Sequence, residues 1–125
     1  MALTTDLAPT ILELAGAPAV PGIDGRSLRP LFTRTPADWR SACPIEYTTD
    51  SVCPRMLNRG NDAIRTARYK YIRYRELKDM NELCDLQEYP YELANLIASP
   101  TSAGVRQQMA EELVRMLSVN RSPER

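Results

Sequence analysis

Leu7, Ile11 and Leu14 recur at spacings of four and three, and Leu12 widens the stripe, so the pattern predicts an amphipathic helix near the start of the chain. Pro9 fits only in its first turn, where the missing N–H costs nothing, and Asp6 sits where a negative group favours the positive end of the helix dipole. Gly16 supplies a left-handed C-terminal cap, with Pro18 soon after to stop continuation. Six prolines between Ala17 and Pro54 then break the pattern. Two short elements survive there: a turn of helix carrying Leu28, Leu31 and Phe32 behind Ser27, and a strand over Pro44 to Thr48, with Trp39 expected to pack between them.

The clearest β pattern follows. Ala63 to Arg65 and Tyr69 to Arg75 read as a hairpin joined through Thr66-Ala67-Arg68, and Glu82 to Leu86 reads as a further strand. Tyr91 to Pro100 reads as a turn-rich connection with Leu93 and Leu96 docking inward. Val105, Met109, Leu113, Met116 and Leu117 then keep the three-to-four spacing over about four turns, which predicts a terminal helix.

Composition narrows the chemistry. With 43% hydrophobic and 26% charged residues in 125, one packed domain is expected and disordered or collagen-like classes are excluded. Sixteen basic residues balance sixteen acidic ones, which removes the whole-molecule argument for a nucleic acid or a membrane surface. The balance is uneven along the chain: residues 63–75 carry five basic groups and no acidic one, and 76–98 carry one basic and six acidic. The acidic strand is therefore expected to face the basic hairpin. The sequence has no His, which withdraws the commonest metal ligand and general base. Cys43, Cys53 and Cys84 are too few and too scattered for a disulfide scaffold or a zinc cluster, although one bridge stays open. Met1 to Thr5 has no basic n-region and no apolar stretch approaches the roughly 20 residues of a membrane span, so neither a targeting nor an anchoring segment is expected.

Four strings occur in a telling order: Asp6-Leu7-Ala8-Pro9-Thr10-Ile11-Leu12-Glu13-Leu14-Ala15-Gly16; Asp24-Gly25-Arg26-Ser27-Leu28; Ile64-Arg65-Thr66 with Tyr69-Lys70-Tyr71-Ile72; and Glu82-Leu83-Cys84-Asp85-Leu86 with Pro90-Tyr91-Glu92-Leu93-Ala94-Asn95-Leu96. Together they resemble the region that follows the catalytic core of type I sulfatases, the formylglycine-dependent arylsulfatase-like family of the alkaline phosphatase superfamily. Cys84 stands where that family usually has Tyr, and Tyr89 where it usually has Asp.

The resemblance implies an α+β fold, a small antiparallel sheet of about three to four strands packed against a C-terminal helix. The N-terminal helix would belong to the junction with an α/β catalytic domain. The expected division is residues 1–40 as junction helix and Pro/Gly-rich loop, 41–120 as the sulfatase C-terminal subdomain, and 121–125 as a disordered tail. It further implies that the parent enzyme uses formylglycine and a divalent cation, calcium being the expected one, from motifs preceding residue 1. In this chain no catalytic, cofactor-binding or metal-binding residue is assigned, and inactivity alone is expected. Cys53-Pro54-Arg55 lacks the C/S-x-P-x-R spacing of the modified residue and reads as a proline-broken loop. Lys70 and Arg65 read as an exposed sheet face and not as sulfate ligands. The implied partner is the sulfatase catalytic domain, against which the apolar helix 6–16 would pack; alone it would expose a sticky patch and self-associate. Two alternatives remain. One is a nucleic-acid or polyanion module using Arg65, Arg68, Lys70, Arg73 and Arg75 among Tyr69, Tyr71 and Tyr74; the other is a stand-alone interaction protein.

Overall fold

The computed structural model describes residues 1–33, 38–48 and 59–120; the Cys53-Pro54-Arg55 string and the expected tail 121–125 lie outside the described residues. Contacts divide the chain at Arg40/Ser41 into two compact units. In the first, helix α1 spans Leu7–Leu14, preceded by a 3₁₀ turn at Thr4–Asp6, and a second 3₁₀ turn covers Arg29–Phe32. Gly16 takes φ +67 and ends α1 as its composition requires. Trp39 is held within this unit by one hydrogen bond and two cation contacts. Its indole N–H donates to the Met1 carbonyl at 2.7 Å, and the Arg26 and Arg40 guanidiniums both stand 5.1 Å from the ring centroid, because a ring with one polar edge is best held where both needs are met.

The second unit is a four-stranded antiparallel meander, β1 (Ala42–Tyr47), β2 (Asn61–Thr66), β3 (Tyr69–Tyr74) and β4 (Glu82–Asp85), paired in that order, followed by α2 (Ala103–Asn120). β1 begins two residues earlier than the β-branched pattern suggests, since Ala42 and Cys43 are buried, and Pro44 is tolerated because β1 is an edge. The β2–β3 connection is only Ala67-Arg68. Thr66 closes it, its hydroxyl accepting the Tyr69 N–H at 2.8 Å and donating to the Tyr69 carbonyl at 3.1 Å.

Register explains the core. Ile64, Tyr71 and Leu83 pair in line across β2, β3 and β4 and so share one face, which Met109, Leu113 and Leu117 of α2 cover. Val105 and Met116 complete the helical stripe at its margins. At the outer edge of β4 the Leu96 N–H donates to the Leu83 carbonyl at 2.7 Å, and Asn95 Oδ1 accepts from Leu83 N–H at 3.0 Å. That strap satisfies an edge strand that would otherwise offer bare backbone groups. Leu96 docks inward as the pattern suggests, whereas Leu93 is 88% exposed: the turn around Glu92, with φ +57, carries it outward.

Candidate functional site

The most deeply built polar arrangement lies in the first unit. Asp6 is fully buried at the start of α1 and takes the Arg40 guanidinium in a two-pronged pair, at 2.5 and 2.8 Å. It also accepts the backbone N–H of Leu3 at 2.7 Å and of Arg26 at 2.9 Å. The Arg40 hydrogen bond is the largest influence and, with the two backbone donors, holds the Asp6 carboxyl far below the usual carboxylate range against the upward push of burial. One turn on, the Thr10 hydroxyl donates to the Asp6 carbonyl at 2.5 Å and accepts the Leu28 N–H at 2.8 Å. Gly25, at φ +95, passes so close to the Thr5 backbone that a Cβ there would overlap its carbonyl. The Asp6-to-Gly16 string and the Asp24-to-Leu28 string are thus two halves of one hydrogen-bonded joint. An acid before a helix reads as a dipole partner or cap, so the sequence did not reveal Asp6 as the hub; the signal that could have found it is the pairing of Asp6 and Thr10 with backbone near an obligatory glycine.

The other side of α1 is apolar and bare. Leu7, Ile11 and Leu14 are 54%, 65% and 61% exposed. A groove of about 240 Å³ beside them is lined by Pro9, Leu12, Val20 and Ile23 among others.

In the second unit the basic hairpin is engaged mostly by acids outside β4. Asp62, buried on β2, holds Arg73 at 3.0 Å and also Arg75. Glu92 in the later turn holds Lys70 at 2.5 Å and approaches Arg65 at 4.0 Å. Of the β4 acids, Asp85 binds Arg68 at 2.8 Å and Glu82 accepts the Tyr74 hydroxyl at 2.9 Å. Charge complementarity is therefore real but is supplied from β2, the end of β4 and the turn. Arg75 holds the Asp62 carboxyl below its ordinary range, and Arg68 does the same for Asp85. Asp85 also acts as a strand-end turn residue, its Oδ1 accepting from Gln87 and Glu88.

Formylglycine and a divalent cation, implied for the parent enzyme, do not fit these residues. Among the described residues no three of His, Cys, Asp and Glu gather into a group able to hold a metal. Cys43 and Cys84 are buried free thiols on β1 and β4, neither in a C-x-P-x-R string, and burial pushes the Cys84 thiol up. No described helix is long and apolar enough to cross a membrane.

Comparison with known proteins agrees with this geometry. The family described as N-sulphoglucosamine sulphohydrolase, C-terminal, matches residues 1–119. An N-acetylglucosamine-6-O-sulfatase of Bacteroides thetaiotaomicron is 29% identical over 119 residues, which are 90% of this chain and 20% of that protein. Among solved structures, BT4656, in complex with its substrate D-glucosamine-2-N,6-O-disulfate, superposes with a TM-score of 0.80 at 28% identity, over 94% of this chain and 24% of that one. A phosphonate monoester hydrolase of Agrobacterium radiobacter gives 0.72 at 28% identity, over 90% and 24%. The chain thus spans about a fifth of the curated relative and about a quarter of these solved chains.

Proposed function

Since the chain belongs to the family of N-sulphoglucosamine sulphohydrolase C-terminal domains, we propose that it acts as the C-terminal subdomain of a sulfuric ester hydrolase, docking on a catalytic domain and shaping its substrate entrance without breaking bonds itself. The observation that carries this reading is the inversion of α1. Thr10 within α1 and Asp6 just before it are buried, whereas Leu7, Ile11 and Leu14 face outward. A helix spends apolar residues on an exposed stripe when another surface covers it. The occupant in this reading is the catalytic domain, because the matched relatives are four to five times longer than this chain.

The test is turnover of a chromogenic aryl sulfate by the pure 125-residue chain with calcium or magnesium supplied. No hydrolysis above buffer is expected. Metal-dependent hydrolysis that survives purification to homogeneity overturns the proposal, since the chemistry would then reside here.

A further inference from the structure

Tyr71 sits on the α2 side of β3 and is only 5% exposed, yet its hydroxyl makes no hydrogen bond among the described residues. A buried hydroxyl without a partner is costly, so proteins keep one where water or a ligand completes the bond. Tyr71 forms part of the wall of an open cleft of about 480 Å³, bounded by the β3–β4 connection, the Ile97-Ala98 segment and the first turns of α2. That size falls within the range of small-ligand sites, roughly 300 to 1,000 Å³. The whole cleft belongs to the second unit.

Two opposite charges line the same cleft without being spent on each other. Arg106 Nη1 donates to the Ile97 carbonyl at 2.7 Å, which positions the guanidinium, but the group meets no carboxylate among the described residues. Asp79, on the β3–β4 connection, likewise enters no ion pair among the described residues. The basic residues of the hairpin differ: Arg65, Arg68, Lys70, Arg73 and Arg75 all meet carboxylates. Asn81 spends its Oδ1 on the Tyr74 N–H at 3.0 Å, which fixes the side chain and leaves its amide N–H groups as donors at the cleft. Ile97, Ala98 and Ala110 supply an apolar part of the wall.

We propose that this cleft binds a small aliphatic α-amino acid as its zwitterion. Its carboxylate lies on Arg106, with the Tyr71 hydroxyl and the Asn81 amide donating to it; its ammonium lies on Asp79, and its side chain rests against Ile97, Ala98 and Ala110. One unpaired cation and one unpaired anion in a single cleft select a ligand that carries both charges. A simple anion would leave Asp79 facing like charge, and a simple amine would leave Arg106 facing like charge. A planar guanidinium also suits a planar carboxylate. A polyanion strand needs a run of cations along its backbone, which one guanidinium beside a carboxylate does not provide. The inference goes beyond the sulfatase-subdomain reading and does not depend on it.

The test titrates the full chain with L-leucine, with 4-methylpentanoate, which lacks the ammonium, with 3-methylbutylamine, which lacks the carboxylate, and with trileucine, whose two charges stand too far apart to reach both groups. The amide resonances of residues 79, 81, 98, 106 and 107 report binding. Saturable shifts with leucine are expected, and each of the other three ligands should bind roughly tenfold more weakly. Arg106→Gln, at an exposed position, should weaken leucine roughly tenfold and leave 3-methylbutylamine no weaker. Asp79→Asn, at φ +59 where Asn is equally at home, should weaken leucine by a similar factor and leave 4-methylpentanoate no weaker. That crossed pattern is one a purely structural role for either residue would not produce. Tyr71→Phe removes only the hydroxyl and should lower leucine affinity without lowering the melting temperature. The absence of saturable shifts up to the solubility of leucine, a one-charge analogue or trileucine binding as tightly as leucine, or an uncrossed response in the two charge variants would each overturn the proposal. A null titration strikes the cleft alone, and turnover of an aryl sulfate by the pure chain strikes the subdomain reading alone.

Discussion

Asp6 shows how much one carboxylate can organise. It satisfies Arg40 and two backbone N–H groups from different segments, so Asp6→Asn takes away the charge that all of them share. Breaking a buried pair in this way costs about 3 to 5 kcal/mol. The midpoint of urea unfolding followed through Trp39, the sole tryptophan and a member of the same unit, should fall accordingly; an unchanged midpoint would refute the role. The pH dependence has a definite sign. Because folding lowers the Asp6 pKa, its stabilisation is fully present above the unfolded value of about 4 and is lost as pH drops below it toward the depressed folded value. The Trp39 signal should therefore become less resistant to urea on acidification below about pH 4, and Asp6→Asn should flatten that slope. Glycines give a second contrast. Gly25→Ala meets the Thr5 backbone at a left-handed φ and should destabilise by more than about 2 kcal/mol, whereas Gly104→Ala, helical and with open space around it, should stabilise by about 0.5 to 1 kcal/mol. Thermal melts of both variants decide the matter.

At the scale of elements, α2 and the hairpin were legible because period and burial coincide. Met109, Leu113 and Leu117 follow the helical repeat and are the residues that meet Ile64, Tyr71 and Leu83. Leu113→Ala should accordingly cost about 2 to 5 kcal/mol, while the neighbouring exposed Val114→Ala should stay within about 0.5 kcal/mol; similar losses for both would mean that the stripe had been misplaced. α1 was legible as a helix and as an apolar surface, but not as a joint. Short polar residues at a helix start have local uses that hide long-range ones, and Asp6 reaches 20 and 34 residues along the chain to find its partners. Leu93 misled for a related reason: a lone apolar residue in a turn has no periodic neighbours to fix its face. The bare stripe of α1 carries its own prediction. Sedimentation of the chain should show concentration-dependent self-association, and Ile11→Glu, at a position 65% exposed, should reduce it without moving the Trp39 unfolding midpoint. A strictly monomeric wild-type chain would remove the argument that this face needs a cover.

For the whole molecule, a net charge of zero and a strongly basic hairpin are reconciled by where the acids sit. Residues 63–75 alone would form a cationic, tyrosine-bearing ribbon able to hold a polyanion. In the folded chain Asp62, Asp85 and Glu92 draw those cations into local pairs, which offset their charge where it stands. Partly exposed pairs of this kind contribute little stability, and their larger effect is on which ligands approach. Glu92 is the place to test this, because it is half-buried outside the sheet and engages two basic residues, Lys70 and Arg65. The wild-type chain should give no salt-dependent retardation of a single-stranded oligonucleotide in a gel at low ionic strength. Glu92→Gln should expose two cations and produce weak retardation whose logarithmic salt dependence steepens by about one to two. A wild-type chain that already retards the strand steeply, with Glu92→Gln making no difference, would mean that the pairs do not neutralise the hairpin, and the basic and tyrosine side chains of β3 would then have to be read as a polyanion surface.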